Sequence, residues 1–230
     1  MELDALVDQF NKLLVTDFDG TITAVDFFER VLEQLLGREY PDYWQQYVRG
    51  EITHFDALNS IFGELRVGQE QLLQIAESVG LQASFADDVQ RLQTGGWGVI
   101  VVSAGSKWYI EQLFERRGVR LPIVSNPGEV SPEGSLQMSL DRESRFFNRE
   151  IGIDKAGVVR WALQNFEQVA FAGDGRPDVA AAELVVDDRR FARGWLAEHF
   201  ATQCTPFVRF EFWSQVADKL LTDELLPERG

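Results

Sequence analysis

Two aspartates separated by one residue, Asp17 and Asp19, sit directly after a short apolar run at residues 13–16. A second such run, 99–102, is followed by Ser103-Ala104-Gly105-Ser106, and a third, 169–172, by Gly173-Asp174-Gly-Arg-Pro-Asp178. Ligands of open α/β sheets bind beyond the carboxyl ends of the strands. If the three runs are neighbouring parallel strands, those ends bring four carboxylates and a hydroxyl to one rim. Asp17 and Asp19 project from the same side of the backbone if the strand continues through both. Beside Asp174 they form an anionic cluster that is costly unless a cation compensates it. Oxygen donors with no His or Cys nearby suit a hard ion, with Mg²⁺ the obvious candidate. His54 and His199 lie far from these residues in sequence, which argues against zinc. A carboxylate can attack phosphorus once the charge of both partners is neutralised. A second carboxylic acid can protonate the leaving oxygen and then activate water. A hydroxyl and a lysine would hold the non-bridging oxygens. Of the four lysines, Lys12, Lys107, Lys155 and Lys219, Lys155 is best placed, because it opens a helix after the loop that starts at Gly152.

The elements that must position these groups follow from the pattern of apolar residues. The runs 13–16, 99–102, 169–172 and 184–186 do not alternate, as expected of strands buried on both faces of a parallel sheet; 121–125 is a weaker fifth candidate. Helix-period segments at 107–117 and 155–166 lie between them, so the chain reads as an α/β protein with a Rossmann-like open parallel sheet. From 25 to 83 there is only amphipathic helical pattern, broken at Gly37, Pro41, Gly50 and Gly68. Val31, Leu32, Leu35 and Leu36 form one stripe there, and Phe55, Leu58, Ile61 and Phe62 another. The division this predicts is a catalytic core of residues 1–23 and 86–230 with a helical cap, 24–85, inserted in it. A β-hairpin off the main sheet is expected within 126–140.

Composition narrows the function. The 230 residues carry 22 Lys and Arg against 37 Asp and Glu, a net charge of −15, which disfavours nucleic acid as a partner. An anionic substrate must then be attracted locally, by a metal or a few cations. Seventeen Phe and six Trp supply a core and exclude wholesale disorder. Cys204 is the only cysteine, so no intrachain disulfide can form. No stretch approaches the roughly 18–20 apolar residues of a membrane span. The acidic N-terminus lacks the features of a secretory signal, and the expected location is the cytoplasm.

Asp17-Phe-Asp-Gly-Thr-Ile-Thr23, Ser103, Lys155 and Gly173-Asp174-Gly-Arg-Pro-Asp178, in this order, resemble the four motifs of the haloacid dehalogenase superfamily of phosphatases. That resemblance implies that Asp17 is the nucleophile that becomes an aspartyl-phosphate and that Asp19 is the general acid and base. It makes Ser103 and Lys155 phosphoryl-binding residues, with Thr21, Ala104 and Gly105 beside them. It places Mg²⁺ on Asp17, Asp174 and the main-chain carbonyl of Asp19, with Asp178 behind them. The acid at position 19 favours a phosphatase or phosphotransferase over a dehalogenase. The helical insert, and Gly50-Glu-Ile-Thr-His-Phe-Asp-Ala-Leu58 within it, resemble the cap of the phosphoserine phosphatase-like branch. Within that branch, Asp26 nine residues past Asp17 and Phe191-Ala-Arg193 are similar to the methionine-salvage phosphatases. Asp26 stands where phosphoserine phosphatases usually have Glu, and their substrate-binding cap arginine is replaced near Phe62. The implied substrate is a small phosphorylated metabolite, with Asp26 among the residues that bind it.

Other readings compete. An EF-hand loop fails, because Gly20 comes too early and the bidentate Glu is missing. A phospho-accepting receiver or binding module would be about half this length and would carry its acidic pair adjacent. Phe27, Phe28, Tyr43, Trp44 and Tyr47 read first as bundle core, and as a pocket wall second. Trp108 and Tyr109 either shape the rim or pack under the next helix. Residues 207–213 are expected to pack a C-terminal helix at 211–221, or to form a contact between copies; a monomer or a homodimer is consistent with either.

Overall fold

The structure, a computed structural model, describes residues 3–36 and 41–223. The expected break at Gly37, the side chain of Leu36 and the two chain ends lie outside the described residues. Helix α1 (Leu3–Gln9) leads into β1 (Lys12–Thr16). Among the described residues, only helices follow before the next strand: α2 (Phe27–Val31), continued by a π-helical turn over Leu32–Leu36, then α3 (Tyr43–Val48), α4 (His54–Gly63), α5 (Gln69–Glu77) and α6 (Phe85–Thr94). Next come β2 (Trp97–Ser106), α7 (Lys107–Arg116) and β3 (Ile123–Asn126). The expected hairpin is β4 (Gly128–Val130) paired antiparallel with β5 (Leu136–Met138), and a shorter one joins β6 (Phe147–Asn148) to β7 (Gly152–Ile153). The chain ends with α8 (Lys155–Asn165), β8 (Gln168–Gly173), α9 (Val179–Ala182), β9 (Arg190–Ala192), α10 (Gly194–Thr202), β10 (Val208–Arg209) and α11 (Trp213–Asp223).

Six strands form one parallel sheet in the order β10-β9-β8-β1-β2-β3. The chain builds outward from β1 through β2 to β3, and then from β8 to β10 on the other side. The order therefore reverses between β1 and β8, and the crevice beyond their carboxyl ends is where such sheets bind ligands.

Alternate residues of each strand serve opposite faces, which is why the runs are continuously apolar. Leu14, Val99, Val101, Ala170 and Ala172 pack towards α4–α7 and α11. Leu13, Val15, Ile100, Val102, Val169 and Phe171 pack towards α1 and α8–α10. The helices between β1 and β2 have no core of their own: Phe27, Phe55 and Phe62 belong to the same buried cluster as Phe18 and Tyr109.

Three expectations need correction. Residues 184–186 are not a strand; Val186 is 66% exposed and only Val185 of the three is buried. The chain there is the turn after α9, with Leu184 and Val185 N–H donating to the carbonyls of Ala181 and Ala182. The buried guanidinium of Arg190 donates to the carbonyls of Ala182 (2.9 Å), Val185 (2.9 Å) and Pro206 (2.7 Å), and so takes the Val185 carbonyl that a strand would have paired in a ladder. The strand begins only at Arg190. An edge strand, β10, also occupies part of 207–213, and α11 starts at Trp213 rather than 211. The side-chain oxygen of Gln215 accepts from Glu211 and Phe212 N–H, and so closes the helix start there. Trp213 is fully buried against Phe85 and donates to Thr16 Oγ1 at 3.1 Å.

Candidate active site

The first strand delivers Asp17 because its pairing runs one residue further: Asp17 N–H donates to Ala172 O at 2.8 Å. The chain then folds tightly over Phe18, whose carbonyl accepts from the N–H groups of Thr21, Ile22 and Thr23. Gly20 sits in this loop at φ +65°, and a Cβ on it would collide with the carboxylates of Asp174 and Asp26. Glycine is required there both for backbone conformation and for the close approach of two acids.

The second half of the site is built around Lys155. Asp154 caps α8 by accepting from Gly157 N–H at 2.8 Å, which sets Lys155 at the first position of the helix. Its ammonium, 2% exposed, lies 2.7 Å from Asp17 Oδ1 and 2.7 Å from Asp178 Oδ1. Burial alone would lower its pKa, but the two carboxylates outweigh that and hold it above the ordinary lysine value. Asp178 Oδ2 accepts the backbone N–H groups of Asp174 (3.0 Å) and Gly175 (2.9 Å), so this carboxylate shapes the loop after β8. Thr21 Oγ1 donates to Asp174 Oδ1 at 2.9 Å.

Asp17, Asp174 and Asp178 each offer an oxygen within 4.8 Å of the others, with a single lysine among them. The remaining negative charge is evident in the acids themselves. Burial first, and Asp178 second, raise Asp17 well above the carboxylate range, and the same causes push Asp174 up to about 7. A hard divalent cation would relieve this repulsion, and an all-oxygen donor set fits one. Asp178 is already engaged through both oxygens, which leaves Asp17 and Asp174 as the side chains suited to direct ligation.

Asp19 is held at the start of the helical stretch. Its Oδ1 accepts Phe27 N–H at 2.9 Å and its Oδ2 accepts the Tyr109 hydroxyl. Burial raises its pKa, against the lowering effect of those two hydrogen bonds. Ser103 lies on β2, where the pairing with β3 shifts register between Ser103 and Ser106. This irregularity turns Ala104 and Gly105 out of the ladder. Ser103 Oγ accepts Gly105 N–H at 3.0 Å, and buried Asn126 braces the same loop by donating to Ala104 O (2.7 Å) and Ile151 O (3.0 Å). Asn126 carried no signal in the sequence, since its role depends on a neighbouring strand.

A cavity of about 280 Å³ opens over these groups. It is lined by Asp17, Asp19, Asp26, Ser103, Ala104, Gly105, Lys155 and Asp174, all expected site residues; Thr21 and Asp178 stand behind the lining. The reading of the helical aromatics as bundle core is corrected in part. Phe28, Trp44 and Tyr47 line the cavity, with Trp44 stacked on Phe28 at 4.3 Å, whereas Phe27 is fully buried and Tyr43 bonds Glu64. The helices turn one aromatic edge inward, a rotation that residue spacing cannot specify. Tyr109, in the first turn of α7, is buried and also reaches the cavity. Arg176 lies over the ring of Trp195 at 4.5 Å, and both line the cavity.

His54 is not among the grouped acids, but it lines this cavity, edge-on to Trp44 and Tyr47. Its buried Nδ1 has no hydrogen-bond partner among the described residues. Burial, reinforced by the charge of Lys155, lowers its pKa to about 4, so the folded protein holds it neutral. The unfolded chain takes up this proton near pH 6.5. The stability contributed by the neutral ring is therefore complete above about 6.5 and is lost as pH falls towards about 4. His54→Gln should reduce the acid-side loss of unfolding free energy by about 3 kcal/mol. Urea unfolding of both proteins between pH 7 and 4 measures it, and parallel pH curves would refute the buried neutral imidazole.

No protein-family model matches the chain. Its sequence is 24% identical over 225 residues to the 2-hydroxy-3-keto-5-methylthiopentenyl-1-phosphate phosphatase of Lysinibacillus sphaericus, covering 94% of this chain and 98% of that one. It is 27% identical over 127 residues to the phosphoserine phosphatase of Halobacterium salinarum, covering 54% and 60%. Its fold superposes on the crystal structure of phosphoserine phosphatase from T. onnurineus with a TM-score of 0.64, over 97% of this chain and 98% of that chain at 16% identity.

Proposed function

We propose that this chain, which has the fold and the relatives of the haloacid dehalogenase phosphatases, is a Mg²⁺-dependent phosphomonoester hydrolase of a small cytoplasmic metabolite, working through an aspartyl-phosphate. The observation that carries the reading is Lys155 bridging Asp17 and Asp178 at the point where the strand order reverses, with Asp19 held two residues past Asp17. Asp17 attacks the phosphorus, and the bond to the leaving oxygen breaks. Asp19 gives that oxygen its proton, so the alcohol departs neutral. Asp19, now a carboxylate, takes a proton from water as the water attacks the acyl-phosphate; inorganic phosphate leaves and Asp17 is restored. Lys155, Ser103 and the loop at Ala104 and Gly105 hold the phosphoryl oxygens. Asp17, Asp174 and the main-chain carbonyl of Asp19 would hold Mg²⁺, which when bound neutralises charge shared by the phosphate and the acids. Asp178 keeps Lys155 and the loop after β8 in place.

Residues 24–85 act in this reading as a cap that screens the rim from water. The cap side of the cavity supports a leaving group with an apolar part: Phe28, Trp44, Tyr47, Leu58 and Phe62 line it. Among the lining residues the cations are Lys155, already paired with two acids, and Arg176. A substrate carboxylate would thus have one guanidinium at most to bind it, that of Arg176 over Trp195, and the apolar lining favours the methionine-salvage enol phosphate over phosphoserine. The test is phosphate release from a panel of small esters containing both compounds, with and without Mg²⁺. Release should require the metal and be greatest for the enol phosphate. Preference for phosphoserine would overturn the substrate assignment, and metal-independent release would overturn the mechanism.

A further inference from the structure

Tyr109 presents a phenol hydroxyl to the carboxyl group assigned the proton. Its side chain, 1% exposed, lies in the first turn of α7 and stacks on Phe27 with ring centroids 4.2 Å apart and planes inclined by 27°. The hydroxyl donates to Asp19 Oδ2, while Phe27 itself donates its backbone N–H to Asp19 Oδ1 at 2.9 Å. The residue that holds one oxygen is therefore packed face to face on the residue that holds the other. Rotation of the carboxyl group breaks both hydrogen bonds together. The opposite wall is shaped to admit the phenol: a Cβ on Gly105 would collide with the Tyr109 hydroxyl. Packing accounts for a buried ring at this position but not for its oxygen, since phenylalanine fills the space without a polar atom to satisfy.

We infer that Tyr109 is a positioning residue for the proton donor, holding the Asp19 carboxyl group in the orientation that faces the leaving oxygen. This rests on the hydrolase reading above. In the steps up to leaving-group departure, the hydroxyl matters only where the leaving group needs a proton. An alkyl ester needs one; acetyl phosphate, whose acetate departs as a stable anion, does not.

The experiment compares kcat/KM, which reports the steps through leaving-group departure, for Tyr109→Phe and the wild type on both compounds with Mg²⁺ present. With the preferred alkyl ester of the panel, the variant should lose about tenfold or more in kcat/KM. With acetyl phosphate it should stay within about twofold of the wild type, which also shows that its site is folded. An equal loss on both substrates, or no loss on either, overturns the inference while leaving the hydrolase reading intact. Failure of the wild type on acetyl phosphate alone also overturns it, because proton donation would not then be what limits departure. If the wild type releases phosphate from neither compound nor from any other ester of the panel, the hydrolase reading fails and takes the inference with it.

Discussion

Asp17→Asn should lower phosphate release by about four orders of magnitude or more, because it exchanges the attacking carboxylate for a near-isostere that cannot form the acyl-phosphate. The same substitution should leave the thermal midpoint within about 5 °C of the wild type. Two effects oppose each other in the fold. Lys155 loses one of its two partners, but keeps Asp178 at 2.7 Å. In return, a buried carboxylate is removed whose charge is opposed by burial, by Asp178 and by Asp174. Phosphate release measured beside a thermal melt separates loss of chemistry from loss of structure. A folded variant with more than about one tenth of wild-type turnover would show that Asp17 is not the nucleophile.

Lys155→Met should fail on both counts. The methionine fits a similar volume but leaves Asp17 and Asp178 facing each other without a counter-charge in a buried site. Removing one member of a buried ionic cluster costs about 3–5 kcal/mol, much of it from the charges left unpaired. Asp178 also holds the N–H groups of Asp174 and Gly175, so the disturbance reaches the loop that carries Asp174. Turnover should fall by about two to three orders of magnitude through loss of a cation on the phosphoryl oxygens. Urea unfolding gives the first quantity and initial rates the second. An unfolding midpoint equal to that of the wild type would mean that the ammonium is not what balances these acids.

Much of this site was legible in residue order. Runs at 13–16, 99–102 and 169–172 appear in the structure within β1, β2 and β8, and the groups just beyond them meet at one rim. The run at 184–186 misled because apolar type alone does not distinguish a buried strand from a turn with one side chain tucked in. The difference lies in Arg190, whose guanidinium takes the carbonyls of that turn. The place of His54 in the cavity wall is hidden for a related reason: distance along the chain says nothing about a residue at the start of a helix laid across the cavity.

Residue type and order suffice for the parallel sheet, the acidic rim and the place of Lys155, because strand ends and helix starts are set by neighbouring residues. Asp17 follows an apolar run, Gly20 turns the chain after it, and Asp154 caps the helix that Lys155 opens. Which side chains close over that rim depends on how far each helix is rotated on the core. That rotation comes from packing among distant residues, such as Phe27 on Tyr109 and Trp44 on Phe28. The aromatic wall, the neutral His54 and the hydroxyl on Asp19 were therefore decided only in the tertiary structure.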